Sequence, residues 1–372
     1  MKFKHQMKSA VALASLSMTA LLLVATPVKA AGQKVVNVFN WADYLDPETI
    51  KNFQKETGIK VVYDTYDSQN TVEAKLSTGA SGYDVVNTDE LTSLRLAKIG
   101  QLIELDRSKI PNWKNLDPRI LKIMEQDDPG NKFNAPNYHG SFGILYNVDK
   151  IKAIDPTATF DSFQMFLDPA FLGKFSKCGI NIYDGSMEHY GMYMITKGKS
   201  GNLKSLADIK EAEEAYMKIR PLVRKVDGAD YVNSVANGEI CVTTAFSGDY
   251  LSAIDKATAS KVKINLKFVL PKEGGMSWTD GWVIPKTAKN RDEAYKFINY
   301  MLDAKVAAMN TNKVKYPNAV LTSRPMVDKA LLDNPAVYMH PEQLAKMETY
   351  FDLPPGIEKP LGKSWNRFKS GR

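Results

Sequence analysis

Short apolar runs alternate with amphipathic stretches along most of the chain. Val35-Val36-Asn37-Val38-Phe39 has strand length, and the following Asp46-Pro47-Glu48 is a helix start: a capping acid, proline at the first helical position and an acid in the first turn. That helix is predicted to stop at Gly58, because glycine readily takes the left-handed conformation that closes helices. A second strand is expected over Ile59 to Tyr66 and a short helix over Thr71 to Thr78, closed by Gly79. Tyr83 to Val86 then reads as a third strand, followed by a helix from Glu90 to Ile99 ahead of Gly100. Strands separated by helices predict a parallel sheet with crossovers.

The same style returns after Pro136 without a sequence repeat. Strands are expected at Ile144-Leu145-Tyr146, Gly179 to Ile182, Ile240 to Phe246, Val262 to Leu270 and Gly281 to Ile284. Leu206 to Ile219 reads as a long helix, and Arg291 to Leu302 as another with Ala294, Phe297, Ile298 and Met301 on one face. From Val327 onward the pattern is helix and loop. The fold class is therefore α/β. A length of 372 residues suits two domains better than one core. No Gly/Ser linker divides them, so the chain is expected to cross between them more than once.

The amino-terminal 30 residues break the pattern. Lys2, Lys4 and Lys8 precede an apolar run from Ala10 to Ala25, and Val28-Lys29-Ala30 places small side chains where a signal peptidase reads. The alternative is a membrane anchor, for which the run is short. A cleaved leader ending at Ala30 is expected, and with no cysteine after it, a free periplasmic protein. Losing the leader removes four lysines and no acid, which takes the formal charge from +7 to +3. No basic block remains to suggest a nucleic-acid partner. The only two cysteines, Cys178 and Cys241, lie 63 residues apart, and an oxidising compartment favours a disulfide over two buried free thiols.

Ligands of open α/β sheets bind beyond the carboxyl ends of the strands. Those ends carry acids and aromatics here: Asn40-Trp41-Ala42-Asp43-Tyr44, Thr88-Asp89-Glu90, Asp184-Gly185-Ser186-Met187-Glu188 and Phe246-Ser247-Gly248-Asp249-Tyr250. Trp278-Thr279-Asp280-Gly281-Trp282 adds a further pair just before a strand. An alkylammonium ligand uses both groups, carboxylates at its charged ends and aromatic faces along its body, the latter contributing about 0.5 to 2 kcal/mol each. Taken singly, such aromatics also serve as packing and such acids as helix caps. Only convergence distinguishes the readings, and convergence is a tertiary property.

Enzyme motifs are missing. Of four histidines, His5 leaves with the leader, and no H-E-x-x-H, C-x-x-C, Walker, G-x-S-x-G or G-x-G-x-x-G pattern occurs. No cofactor or metal is implied. Glu188-His189 is the one tempting acid–base pair, but adjacent residues of an element point apart, which suits one ligand contact and one bystander.

Asn40-Trp41-Ala42-Asp43-Tyr44, Phe53-Gln54-Lys55-Glu56-Thr57-Gly58-Ile59-Lys60-Val61 and Gly82-Tyr83-Asp84-Val85-Val86 resemble the bacterial periplasmic polyamine-binding proteins, above all the putrescine-binding kind. Leu116-Asp117-Pro118, Tyr146-Asn147-Val148-Asp149-Lys150, Ala236-Asn237-Gly238-Glu239-Ile240-Cys241-Val242 and Pro271-Lys272-Glu273-Gly274 extend the likeness over almost the whole mature chain. The resemblance implies two α/β lobes closing like a hinge, a monomer that is not an enzyme, and delivery of a polyamine to the permease subunits of an ABC importer. The lobes are expected at 31–138 with 252–306 and at 139–251 with 307–372. It further implies ligand roles for Trp41, Asp43, Tyr44, Glu188, Asp249, Trp278, Asp280 and Tyr316, and a Cys178–Cys241 bridge.

Three departures bear on the ligand. Phe246 stands where putrescine-type proteins have Trp, Ala42 where they have Ser, and Thr88-Asp89-Glu90-Leu91 where they have Pro-Ser-Ala-Ser. Asp89 thus falls on a ligand-contacting serine, or else caps the following helix. Putrescine, spermidine, a shorter diamine and agmatine all remain open.

Overall fold

A computed structural model describes residues 33–66, 69–79 and 81–372; the leader and its expected cleavage after Ala30 lie outside them. The first strand, β1 (Val35–Trp41), runs parallel to β2 (Lys60–Tyr66) and to β3 (Val85–Asp89). The helix Pro47–Thr57 makes the first crossover. Asp46 caps it by accepting from the Glu48 N–H at 3.0 Å, and Gly58 ends it at φ 69°. Its Phe53 is buried against Phe297 and Tyr300, with ring centres 5.3 and 5.2 Å away. The local start and stop signals and the apolar face thus produce this unit as expected.

Six strands follow: β4 (Ala135–Asn147), β5 (Ile180–Ile182), β6 (Lys225–Val226), β7 (Val242–Phe246), β8 (Leu266–Val269) and β9 (Gly275–Val283), then the short β10 (Met347–Glu348). Their order is β2-β1-β3-β9-β4-β7-β5-β6, with β8 on β4 and β10 on β9. The parallel pairs are those expected, and β9 and β4 run antiparallel through the middle. The first half of β4 pairs with β9, and its second half, Phe142 to Tyr146, pairs with β7.

Both central strands are longer than their sequences suggest. All thirteen residues of β4 are buried, so no alternation marks it, and Asn137, His139, Gly140, Ser141 and Gly143 interrupt its apolar run. Trp278 and Asp280 were expected just ahead of a strand; they lie inside β9, whose polar Ser277 and Thr279 imitate a loop.

Two large cores flank this sheet. One gathers Val36, Val38, Phe53, Trp282, Phe297 and Val320. The other gathers Phe142, Ile180, Tyr190, Tyr216, Trp365 and Phe368. A neighbouring cluster joins Leu145 and Ala245 to Ala253, Ala257, Leu266 and Phe268, while Val306, Ala307 and Ala319 pack with the Val36 core. Cys178 and Cys241 are bonded, with Cα atoms 5.7 Å apart, tying the turn before β5 to the start of β7.

Candidate functional site

β1 ends at Trp41, whose ring packs on Tyr66 at 4.4 Å. Ala42 and Asp43 are exposed, and Asp43 turns the chain at φ 55°. The turn brings Tyr44 back over the sheet, where its hydroxyl donates to Asp280 Oδ2 at 2.7 Å. Asp280 is buried in β9 directly opposite Asp89 of β3. Trp278, two residues earlier, shares its face of the strand. A Cβ on Gly140 would come within 2.5 Å of the Trp278 ring, so glycine at that position of β4 lets the indole lie against the strand.

Trp278 meets Tyr316 edge-on at 5.3 Å, and Tyr316 lies 5.8 Å from Tyr44. On its other side Tyr316 covers Gly248, where any Cβ would fall 2.0 Å from the ring. One residue on, in the first turn of the helix Ser247–Ala259, Asp249 accepts a hydrogen bond from the Tyr231 hydroxyl. Phe246 bridges Trp278, at 6.5 Å, and Tyr183, at 5.1 Å. Glu188 comes from the first turn of the helix Ser186–Thr196.

The acids form a continuous electrostatic group. Tyr316 senses both Asp249 and Asp280, and Tyr183 senses both Glu188 and Asp249. Burial pushes Asp280 up to about 8; the Tyr44 hydrogen bond opposes this and the Asp89 charge adds to it. Asp249 rises to about 6 by burial, against hydrogen bonds from Tyr231, the Phe246 backbone and Tyr316. Glu188 is raised by burial, with the Asp184 charge adding to it. Among the described residues no lysine or arginine figures among the main charges acting on these three carboxyls. Elsewhere the same fold pairs such acids: Asp117 accepts from Arg119 and Arg324, which hold it below the usual carboxylate range despite burial. Removing acids from water without a cation is costly. A site arranged this way favours an incoming cation.

Of the residues singled out in the sequence, Tyr44, Asp89, Glu188, Phe246, Asp249, Trp278, Asp280 and Tyr316 converge. Trp41 stands at the edge of the group through Tyr66, on which the Asp280 and Asp89 charges act. Asp43 stays at the surface. Asp89 does cap the helix Glu90–Lys98, accepting from Thr92 N at 2.9 Å, and is buried beside Asp280 as well. Tyr183 and Tyr231 were missed. Tyr183 follows β5 and precedes Asp184, so the strand-end rule reaches it; Tyr231 carries no sequence signal. His189 is buried, with one ring nitrogen 2.8 Å from the Tyr183 carbonyl and the other 3.0 Å from the Tyr216 hydroxyl. Burial lowers it to about 3, so it stays neutral in the core and forms no acid–base pair with Glu188.

A family profile described as bacterial extracellular solute-binding protein matches residues 48–338. The chain is 38% identical to the putrescine-binding periplasmic protein SpuD of Pseudomonas aeruginosa, over 96% of this chain and 98% of that protein. It is 39% identical to the putrescine-binding periplasmic protein PotF of Escherichia coli, over 95% and 96% respectively. Among solved structures, the spermidine/putrescine transporter substrate-binding protein PotD of Streptococcus pneumoniae superposes with a TM-score of 0.80 at 28% identity, covering 91% of this chain and 99% of that one. The family is one of binding proteins and not of enzymes, and the chain belongs to it: it is a bacterial extracellular solute-binding protein of the polyamine-binding periplasmic group.

Proposed function

We propose that the buried cluster of rings and acids holds a linear di- or polyamine, with Asp280 and Trp278 anchoring one ammonium and Asp249 and Glu188 the other end. The observation that carries this reading is a set of buried carboxyls without a cationic partner, strung along Tyr44, Tyr316, Trp278, Phe246 and Tyr183. The names of its relatives support it: two bind putrescine, and a third, 35% identical, is a putrescine/agmatine-binding protein. The protein acts as the periplasmic receptor of an ABC importer, as a monomer freed by cleavage after Ala30, and docks on the permease when loaded.

The two cores become two lobes that close on the ligand, with β4 and β9 as the connections. Residues 252–270 move with the second lobe and 304–320 with the first, following the cores in which Phe268 and Val320 are packed. Lobes close only through contacts the ligand makes better in the closed state. Here those contacts are Asp280 on one side and Asp249 with Glu188 on the other.

Proton linkage tests the reading. The free protein holds Asp280 and Asp249 protonated below about 8 and about 6, whereas a bound ammonium requires them ionised. Binding must therefore expel protons, and affinity must rise with pH, by up to about tenfold per pH unit for each proton released. Calorimetry of putrescine between pH 6 and 8.5, in buffers of different ionisation enthalpy, counts the protons. Affinity independent of pH removes these acids from the site. Thermal-shift screening completes the test, because any ligand of the native state raises the melting temperature; a response to amino acids or sugars and not to amines defeats the polyamine reading.

Asp89 is the specificity element, adding charge beside Asp280 where putrescine-type relatives carry serine. Asp89→Ser keeps a capping side chain for Thr92. It is expected to change the affinity ranking of putrescine, spermidine and agmatine by more than about tenfold, roughly 1.4 kcal/mol. Three affinities that move together leave Asp89 only its cap.

A further inference from the structure

Behind Glu90, the residue that follows Asp89, a cavity of about 320 Å³ opens between the helix Glu90–Lys98 and the segment from Met124 to Asn134. That is at the low end of small-molecule sites and about ten times a water's share of liquid volume, which is roughly 30 Å³. Leu94, Ala97, Met124 and Phe133 give it apolar walls. Its floor is polar. Asp127 is 5% exposed, and among the described residues neither of its carboxyl oxygens completes a hydrogen bond; nor does the side-chain oxygen of Asn134, 1% exposed. The other oxygen-bearing groups of the floor are engaged. Glu90 accepts from Thr279 N at 2.8 Å, and Asp128 from Phe133 N at 2.8 Å and Asn134 N at 3.2 Å.

The molecule supplies its own comparison. Asp84 accepts from Asn37, Lys289 and Asn290, and Asp117 from Arg119 and Arg324. Among the described residues Asp127 has no such partners; the Thr349 hydroxyl is near enough to act on it, but neither group completes a hydrogen bond. Buried polar groups in folded proteins are nearly always satisfied, so such an exception calls for an explanation. Lys98 and Lys132 line the cavity from its exposed rim; Lys98 pairs with Asp352 at 2.7 Å and Lys132 with Glu104 at 3.5 Å.

We propose that this cavity is a second amine site, which takes the ammonium group of a short monoamine on Asp127 and the Asn134 side-chain oxygen, with the alkyl tail against Leu94, Met124 and Phe133. One unpartnered acid faced by acceptor oxygens and no bound cation selects a single positive charge. The two lysines at the rim, each paired with an acid, keep positive charge at the mouth and disfavour a diamine lying through it. Burial holds Asp127 up at about 7, with Asp128 and Asp352 adding to this and Thr349 and Lys98 opposing it; an incoming ammonium reverses the burial effect and expels the proton.

The probe is n-propylamine, titrated by calorimetry into the mature protein with the ring cluster saturated by putrescine, and again into Asp280→Asn without putrescine. One saturable site is expected in both, whatever ligand the ring cluster prefers, and n-propanol should give none. Asp127→Asn should lose more than tenfold of propylamine affinity. Lys132→Gln, which relieves repulsion at the rim, should gain a few-fold and keeps the idea testable if Asp127→Asn does not fold. Absence of a saturable heat means that the cavity holds only solvent and overturns the proposal. Propylamine binding untouched by both substitutions places the amine elsewhere and overturns it too.

Discussion

Asp280→Asn is expected to weaken putrescine binding by about 2 to 5 kcal/mol, roughly 30-fold at the least. The amide keeps the shape of the carboxyl and can still accept from the Tyr44 hydroxyl, which now reaches Asp280 at 2.7 Å. What is lost is the charge that faces the ammonium in a buried setting, where an unpaired cation is costly. The same substitution should stabilise the free protein. An acid held at about 8 in the fold, against about 4 in the unfolded chain, opposes folding progressively as pH rises between those values. The melting-temperature gap between variant and parent should therefore widen from about pH 4 to pH 8 and level off above. Unchanged putrescine affinity removes Asp280 from the binding site, and a gap that does not change with pH removes the electrostatic account of it.

Opening the disulfide is the second large effect. Cys178 and Cys241 enclose a 63-residue loop, so their bond restricts the unfolded chain by roughly 4 kcal/mol on loop entropy. For a chain of this size the melting temperature should fall by roughly 6 °C on reduction, or in the double substitution Cys178→Ser with Cys241→Ser. The bond ties β5 to β7 on the flank of that sheet, within the second core. Polyamine affinity measured well below melting should accordingly change by less than about tenfold. Scanning calorimetry with and without reductant decides the first point; a fall under about 3 °C means that the loop is already constrained without the bond.

Local chemistry accounts for what could be read early. The helix Pro47–Thr57 begins at its acid and proline and ends at its glycine because those residues satisfy or relieve the backbone at helix ends. The helix Leu206–Ile219 has the bounds its 3.6-residue periodicity indicates. The central strands exceed their sequence signals for a physical reason. β4 and β9 are covered on both faces, so period-two alternation, the signal of a half-buried strand, does not exist in them.

The acids proposed to bind ligand were legible as residue types at strand ends, since Asp89, Asp249 and Glu188 each sit where a strand passes into a helix. Asp280 was legible as half of an aromatic–acid pair expected just before a strand, although it lies within β9. By itself, then, the sequence determined the α/β class, most of the helix limits, the export leader as an expectation, and the chemistry of a cation-seeking site. Those follow from interactions within a few residues. Only the tertiary structure decided that Asp89 faces Asp280 across two strands about 190 residues apart, that Tyr316 stands between Asp249 and Asp280, and that His189 is a core residue. It alone exposed the unpartnered Asp127 beside a cavity. Pairing, burial and the absence of a neighbouring cation are relations between distant parts of the chain, and no local pattern encodes them.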